Sequence, residues 1–164
     1  MLDGVDDGRF SERPDPNRWS PGEHIAHLLL TDRPYYGAID EALAEAKRRR
    51  WTSEGPFKGS AIGNWFGRSM EPPVKRRMKT PRRLEPRAAL SREEVRADFV
   101  ACREEFVDLV RRADGLDLDK ARMTSPFLSL LKMSSYSGFH VLLSHARRHI
   151  WLARQILPEG SLDG

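Results

Sequence analysis

Residues 19–28, WSPGEHIAHL, carry the strongest fold signal in the chain. Ser20 suits a helix N-cap, Pro21 suits the first helical position, and Glu23 is placed to close a capping box with Ser20. Apolar residues then recur at helical spacing as far as the basic run 48–50, which favours the negative end of a helix dipole. The stretch predicts one long amphipathic helix that begins just after Ser20.

Three further segments have helical patterns. A short helix is predicted within residues 57–70, and Ser91 with Glu94 repeats the capping-box spacing at the start of a longer helix that ends near Asp114. The last predicted helix covers residues 134–157. The sequence has no strand alternation, internal repeat or Gly-rich phosphate loop. We therefore predict an all-α fold of long helices packed as a bundle.

All five histidines lie in the first and last of these helices. His145 and His149 are four residues apart, so their imidazoles lie one above the other on a helix face and can reach one divalent ion. On a helical wheel this face is apolar, whereas Arg147 and Arg148 are expected to face solvent. Such a pair is also often satisfied by core hydrogen bonds without a metal. A bundle that joins the two helices would add a third histidine.

The first helix offers two candidates for that third ligand. On an ideal wheel His24 lies nearer the apolar stripe than His27, but Pro34 is expected to kink the helix, so the wheel leaves both open. Asp32 lies in the middle of the stripe, where an unpaired carboxylate would be costly. It is expected either near a metal or in a structural ion pair. Asp32 and Glu23 are the two nearby candidates for a catalytic base.

Composition narrows the class of protein. A chain of 164 residues with 39% hydrophobic and 32% charged residues fits one charge-coated helical domain, and no apolar run approaches the length of a membrane span. The N-terminus has no apolar signal core, so we expect a cytoplasmic protein.

Cys102 is the single cysteine, and its helical spacing with apolar neighbours predicts a packed core thiol in a reducing compartment. The four tryptophans, Trp19, Trp51, Trp65 and Trp151, could line a pocket, but core and helix-interface packing is the expected use of each.

The net charge of +4 arises from one proline-interrupted stretch. Without interleaved aromatic residues or a recognisable helix-turn-helix, this stretch favours a solvated loop or an anion-binding rim over a nucleic-acid site. Its basic residues are Arg68, Lys75, Arg76, Arg77, Lys79, Arg82, Arg83, Arg87 and Arg92.

The combination of WSPGEHIAHL, the segment MEPPVKRRMKTP followed by SREEV, and the terminal SHARRHI resembles the DinB/YfiT superfamily of bacterial metal-binding four-helix bundles. The resemblance spans residues 19–157 and implies an up-and-down four-helix bundle. By this resemblance the metal ligands are His27, His145 and His149, which favours His27 over His24.

Two features depart from the family pattern. The family's first helix is expected to be truncated, because residues 1–18 are short and rich in Gly and Pro and are predicted to form an N-terminal tail. Either residues 57–70 fill the place of that helix, a partner chain does, or the true start of the protein lies upstream. A homodimer would cover the apolar face left open. The second departure is Leu152, which stands where a glutamine is common in the family. Separately, residues 158–164 are predicted to form a C-terminal tail.

The resemblance also implies a function. Relatives use the ion to activate a low-molecular-weight thiol, such as mycothiol, bacillithiol or glutathione, for transfer or isomerisation, so a thiol and an electrophile are the expected partners. Three imidazoles leave a position open on the ion, as in a catalytic site. Zinc ranks first, with nickel and iron compatible. The alternatives are a non-catalytic metal-binding stress protein and a metal-assisted hydrolase, and the sequence leaves open whether the protein is an enzyme.

Overall fold

The structure is a computed structural model that describes residues 5–74, 79–87 and 91–157. Residues 75–78, which contain part of the basic stretch, and the predicted C-terminal tail 158–164 lie outside the described residues.

Helices dominate the described part of the chain, which confirms the predicted all-α class. Its elements are α1 (Asp7–Ser11), α2 (Pro21–Arg48), α3 (Ala61–Met70), a 3₁₀ turn (Arg82–Leu84), α4 (Arg92–Ala113), β1 (Arg122–Thr124), β2 (Lys132–Ser134) and α5 (Ser135–Arg154). No helix within the described residues is long and apolar enough to span a membrane.

Helix α2 lies at the centre of the bundle. It packs against α4 and α5, and α3 packs against α5 as well. A chain of aromatic rings crosses the core from α2 through α4 to α5, with ring centroids 5.7 Å apart for Tyr36 and Phe106 and 5.9 Å apart for Phe106 and Phe139. The apolar face predicted for α2 is buried here, at Ile25, Leu28, Tyr35, Tyr36, Ile39 and Leu43.

The start of α2 is as predicted. Ser20 Oγ accepts a hydrogen bond from the Glu23 backbone N–H at 3.1 Å, and Glu23 Oε2 accepts one from the Ser20 N–H at 2.8 Å. This reciprocal pair satisfies two N–H groups that would otherwise lack partners at the helix end. The helix then continues through Pro34 as far as Arg48. The capping box therefore fixes which residues lie in the first turns of α2.

A small antiparallel hairpin precedes α5, and no pattern in the sequence indicated it. Arg122 pairs with Ser134 and Met123 with Met133, and both methionine side chains are buried. Strands of three residues are too short to show a period-two pattern in sequence. The pairing of the two strands arises from tertiary contacts of their methionines with the core.

The segment predicted as an N-terminal tail packs onto the bundle from residue 5 onwards. Phe10, in α1, is fully buried against the start of α2, where a Cβ on Gly22 would lie 2.5 Å from the phenylalanine ring. A side chain at this position would collide with the ring, so the absence of a Cβ at Gly22 is what lets Phe10 pack there. The apolar cluster around this ring contains Val5, Phe10, Ile25, Val95 and Leu157.

Within the described residues, two short helices accompany the three long ones. Helix α1 has five residues and covers the contact between α2 and α4, whereas α3 packs along α5. Whether the segment 57–70 takes the place of a family helix stays a prediction.

We predict that Phe10→Ala lowers the free energy of unfolding by about 3–5 kcal/mol, because the truncation removes buried aromatic surface and leaves a cavity. Urea denaturation monitored by circular dichroism measures this loss. Leu130→Ala is the matched control, since Leu130 is 97% exposed and its truncation should change stability by less than about 0.5 kcal/mol. Equal stability of Phe10→Ala and wild type would show that the N-terminal segment does not pack as described.

Candidate metal centre

The two predicted histidine groups come from facing helices. His24 and His27 lie in the first two turns of α2, directly after the capping box, and His145 and His149 lie on the inner face of α5. The ring centroids of His145 and His149 are 4.5 Å apart, as expected for residues one helical turn apart. The contact between α2 and α5 therefore brings together residues more than a hundred positions apart in the sequence.

Three of these histidines could hold a metal ion. One ring nitrogen from each of His27, His145 and His149 lies within 4.8 Å of the others. Two ligands of one Zn²⁺ ion, with bonds of about 2.1 Å, are at most about 4.2 Å apart, so the cluster is close to the span that coordination requires. These are the three ligands that the family resemblance implied.

His27 is oriented by a main-chain hydrogen bond. Its Nδ1–H donates to the carbonyl oxygen of Leu84, in the 3₁₀ turn, at 2.8 Å. Because a neutral imidazole carries one proton, this bond leaves the Nε2 lone pair free for an ion. The basic, proline-interrupted stretch thus contributes a partner to the site. Sequence reasoning missed this contact, since a backbone carbonyl has no residue signature.

His24 lies beside the cluster and contacts His149. The two Nδ1 atoms are 3.0 Å apart, and both side chains are almost completely buried. His27 is equally buried, so the position on an ideal wheel, which separated His24 from His27, does not distinguish them in the structure. The two histidines differ in their partners on α5. His24 contacts the ring of His149, whereas His27 contacts the rings of His145 and His149.

Burial keeps all four rings neutral near pH 7. Desolvation lowers the pKa of His24 to about 4 and that of His145 to about 3, and it also lowers the pKa values of His27 and His149. Repulsion between the neighbouring imidazoles adds to the effect at His24, His145 and His149. Metal ligation needs the neutral imidazole, so the protonation state of the cluster fits an ion.

An arginine and a tryptophan border the cluster. Arg148 is buried, so the prediction that it faces solvent is wrong, and its charge contributes to the lowered pKa values of His145 and His149. A helical wheel missed this because the neighbours of α5 determine which of its flanks is covered. Arg147 is exposed and donates to Glu71 at 2.9 Å.

Trp19 forms an aromatic wall of the site. Its ring centroid lies 4.9 Å from that of His27, 5.5 Å from that of His24 and 6.0 Å from that of His149. Of the two roles considered for the tryptophans, Trp19 thus has the less favoured one, lining the candidate site. In contrast, Trp65 is 64% exposed, so that expectation is wrong for this residue.

Both candidate catalytic bases are engaged with arginines. Glu23, which closes the capping box, also accepts hydrogen bonds from Arg13 Nε at 2.8 and 3.0 Å. Asp32 is fully buried and pairs with Arg103, and neither carboxylate belongs to the histidine cluster. Burial raises the pKa of Asp32 to about 6, so the carboxylate is ionised at neutral pH opposite the guanidinium. The structural ion pair expected for Asp32 is therefore present, and a catalytic role for either residue stays a prediction.

The Asp32 pair is part of a buried polar group between α2 and α4. Arg103 donates to the Tyr36 hydroxyl at 2.8 Å, and its guanidinium lies over the ring of Phe99. The Cys102 thiol is fully buried next to Tyr36, which confirms the predicted core position of the cysteine. These contacts connect α2 to α4.

We predict that Arg103→Met lowers the free energy of unfolding by about 3–5 kcal/mol, because it leaves the Asp32 carboxylate buried without its counter-charge. The double variant Asp32→Leu/Arg103→Met should regain most of this loss. Chemical denaturation measures both effects. Arg33→Met is the matched control, since the Arg33–Glu105 pair also joins α2 to α4 but is exposed, and its loss should cost at most about 1 kcal/mol. A similar small cost for Arg103→Met would contradict a buried ion pair.

The structure is a helical bundle in which three imidazoles from two facing helices could hold a metal ion. A model of the DinB superfamily matches residues 1–153, and the chain belongs to this superfamily. The resemblance seen in the three sequence motifs is thereby confirmed. No curated protein and no solved structure matches the chain.

Proposed function

We propose that the protein is a metal-dependent enzyme that activates a low-molecular-weight thiol for transfer to an electrophile, with His27, His145 and His149 as the metal ligands. The observation that carries the proposal is the convergence of three neutral imidazoles from α2 and α5, of which His27 and His149 are buried and His145 is partly buried. A divalent ion held by three residues keeps a position open and supplies Lewis acidity, which lowers the pKa of a bound thiol or water.

The charge around the site favours an anionic ligand such as a thiolate. The cluster contains no carboxylate, and its histidines are neutral at pH 7. His24 is influenced by the negative charge of Glu23 as well as by the positive charges of Arg18 and Arg148, whereas His145 and His149 are influenced by Arg148. A thiolate bound between His145 and His149 would therefore lie near the positive charge of Arg148.

The surrounding side chains also separate thiol chemistry from hydrolysis. A hydrolase that uses a side chain to take a proton from water and pass it to the leaving group needs a free base, but Glu23 and Asp32 are both held in ion pairs with arginines. A thiol whose pKa is lowered by the ion would release its proton to solvent, and the resulting thiolate would attack an electrophile without a further base. The ring of Trp19 covers one side of the histidines and supplies an apolar wall that limits access of water.

The ligand set leaves zinc as the first choice of ion, with Ni²⁺ and Fe²⁺ also suited to imidazole. We place the activity in the cytoplasm, where low-molecular-weight thiols are kept reduced.

The competing function is a non-catalytic bundle held together by its ion. It is favoured by one observation, namely that the cluster joins the two helices that form the largest contact of the core.

Metal content of tag-free protein, measured by mass spectrometry, tests the proposal. Wild type should carry close to one ion per chain, and His145→Ala and His149→Ala should each lose it. His140→Ala is the matched control, because His140 lies on the same helix but outside the cluster. A wild type that takes up no zinc, nickel or iron after reloading would exclude the metal site.

The metal-loaded protein is then incubated with bacillithiol, mycothiol or glutathione and a fluorogenic alkylating electrophile. Consumption of thiol should depend on all three ligands and persist in His140→Ala. If the loaded protein consumes none of the thiols while removal of the ion strongly lowers its melting temperature, the non-catalytic function is correct instead.

We also propose that the protein forms a homodimer through α3. Ile62 and Trp65 lie three residues apart on the exposed face of this helix, at 49% and 64% exposure, opposite the buried residues Gly63, Gly67 and Met70. Covering such apolar surface is the usual reason for association. Light scattering should give the mass of a dimer for wild type and of a monomer for Trp65→Glu. Val107→Glu, at a comparably exposed apolar position on α4, is the control and should stay dimeric.

A further inference from the structure

We propose that His24 is a positioning residue that accepts a hydrogen bond from His149 and thereby directs the Nε2 atom of His149 to the metal. This inference rests on the proposed metal site. It starts from one contact, the 3.0 Å separation between the Nδ1 atoms of His24 and His149. The two side chains are only 8% and 6% exposed, so solvent does not compete for these nitrogens.

The contact permits two arrangements of protons. Two neutral imidazoles that share a hydrogen bond place one proton between them, which either His149 or His24 donates. If His24 donates, His149 carries its own proton on Nε2 and cannot use that atom as a ligand. If His149 donates, its Nε2 lone pair is free. With Nδ1 occupied by His24 in both cases, the second arrangement alone makes His149 a ligand.

The same tautomer is already imposed on His27. Its Nδ1–H donates to the Leu84 carbonyl, which leaves Nε2 as the free nitrogen. Histidine ligands of metals commonly donate their second N–H to a fixed acceptor in this way. His24 and the Leu84 carbonyl therefore have equivalent roles toward two different ligands, one through a side chain and one through the main chain.

His24 is held in place for this role by its surroundings. It lies in the first turn of α2, next to the capping residue Glu23, and the edge of the Trp19 ring packs against it with centroids 5.5 Å apart. His24 is not one of the three histidines whose ring nitrogens lie within 4.8 Å of one another, which are His27, His145 and His149. The helix start and the tryptophan thus fix His24 as a neighbour of His149.

A neutral acceptor has a chemical consequence for the ion. A carboxylate in this position would add negative charge and make the ligand more basic, whereas an imidazole adds none. This arrangement suits a site that attracts and stabilises a thiolate.

The first experiment compares Zn²⁺ affinities of wild type, His24→Leu, His24→Gln and His140→Gln by competition with a chromophoric chelator. His24→Leu removes the acceptor and should weaken binding about 10-fold to 100-fold, the usual effect of losing such a partner. His24→Gln keeps an oxygen acceptor and should recover most of the affinity. His140→Gln controls for the substitution itself and should match wild type.

Three outcomes would overturn the inference without affecting the proposed metal site. In the first, wild type binds Zn²⁺ and His24→Leu binds it equally well. In the second, His24→Gln loses as much affinity as His145→Ala, and in the third the Co²⁺-loaded wild type shows a spectrum with four nitrogen ligands that His24→Gln reduces to three. Either of these last results would make His24 a ligand itself.

A second measurement does not depend on metal. Long-range ¹H–¹⁵N spectra of the metal-free protein at neutral pH report which nitrogen of each imidazole carries the proton. We expect the proton of His149 on Nδ1 and that of His24 on Nε2. A proton on Nε2 of His149 would exclude the proposed role, whether or not the protein binds zinc, whereas loss of zinc binding by wild type alone would count against the proposed function.

Discussion

The burial of four imidazole rings at one contact between α2 and α5 is the constraint on which the rest of the structure depends. Each buried ring carries a donor and an acceptor that need partners. His27 uses the Leu84 carbonyl, and His24 and His149 use each other, so one ring nitrogen each of His27, His145 and His149 converge in a cluster that contains no carboxylate of the described residues. The contact also links three parts of the chain, because the 3₁₀ turn supplies the acceptor for His27 and the capped start of α2 carries His24 and His27.

The segment that precedes α2 closes the bundle and builds one side of the site at the same time. Phe10 fills the space above Gly22, Arg13 pairs with the capping carboxylate of Glu23, and Trp19 lies on the histidines. This short segment therefore contributes both to the packing at one end of the bundle and to one side of the histidine site. Its contribution is side-chain packing at one end of the bundle rather than a continuous helical face.

Much of the fold could be predicted from sequence because it is encoded locally. The capping box at Ser20 and Glu23 and the i, i+4 pair His145 and His149 depend on residue types at short spacing, and both lie where the patterns indicate. The choice between His24 and His27 could not be made in this way. A wheel represents an isolated helix, whereas both rings are buried by neighbours from other elements.

The features that sequence reasoning missed are tertiary in origin. The hairpin is held by two methionines that reach the core, and the burial of Arg148 depends on what packs beside α5. The ion pair of Asp32 could be anticipated as a type, because a buried carboxylate needs a counter-charge, but its partner on α4 could not. Periodicity identifies which face of a helix is buried and carries no information on what lies opposite.

The hydrogen bond from His27 to Leu84 means that side-chain substitutions in the 3₁₀ turn and changes in its backbone path have different effects on the site. The acceptor is a main-chain oxygen, so the orientation of His27 depends on the path of the backbone and not on the side chains of the turn. Arg82 and Arg83, which are exposed in the same turn, are consequently free to vary in size and charge. Substitutions at these two arginines would therefore change the charge of the surface near the cluster without removing the acceptor that orients His27.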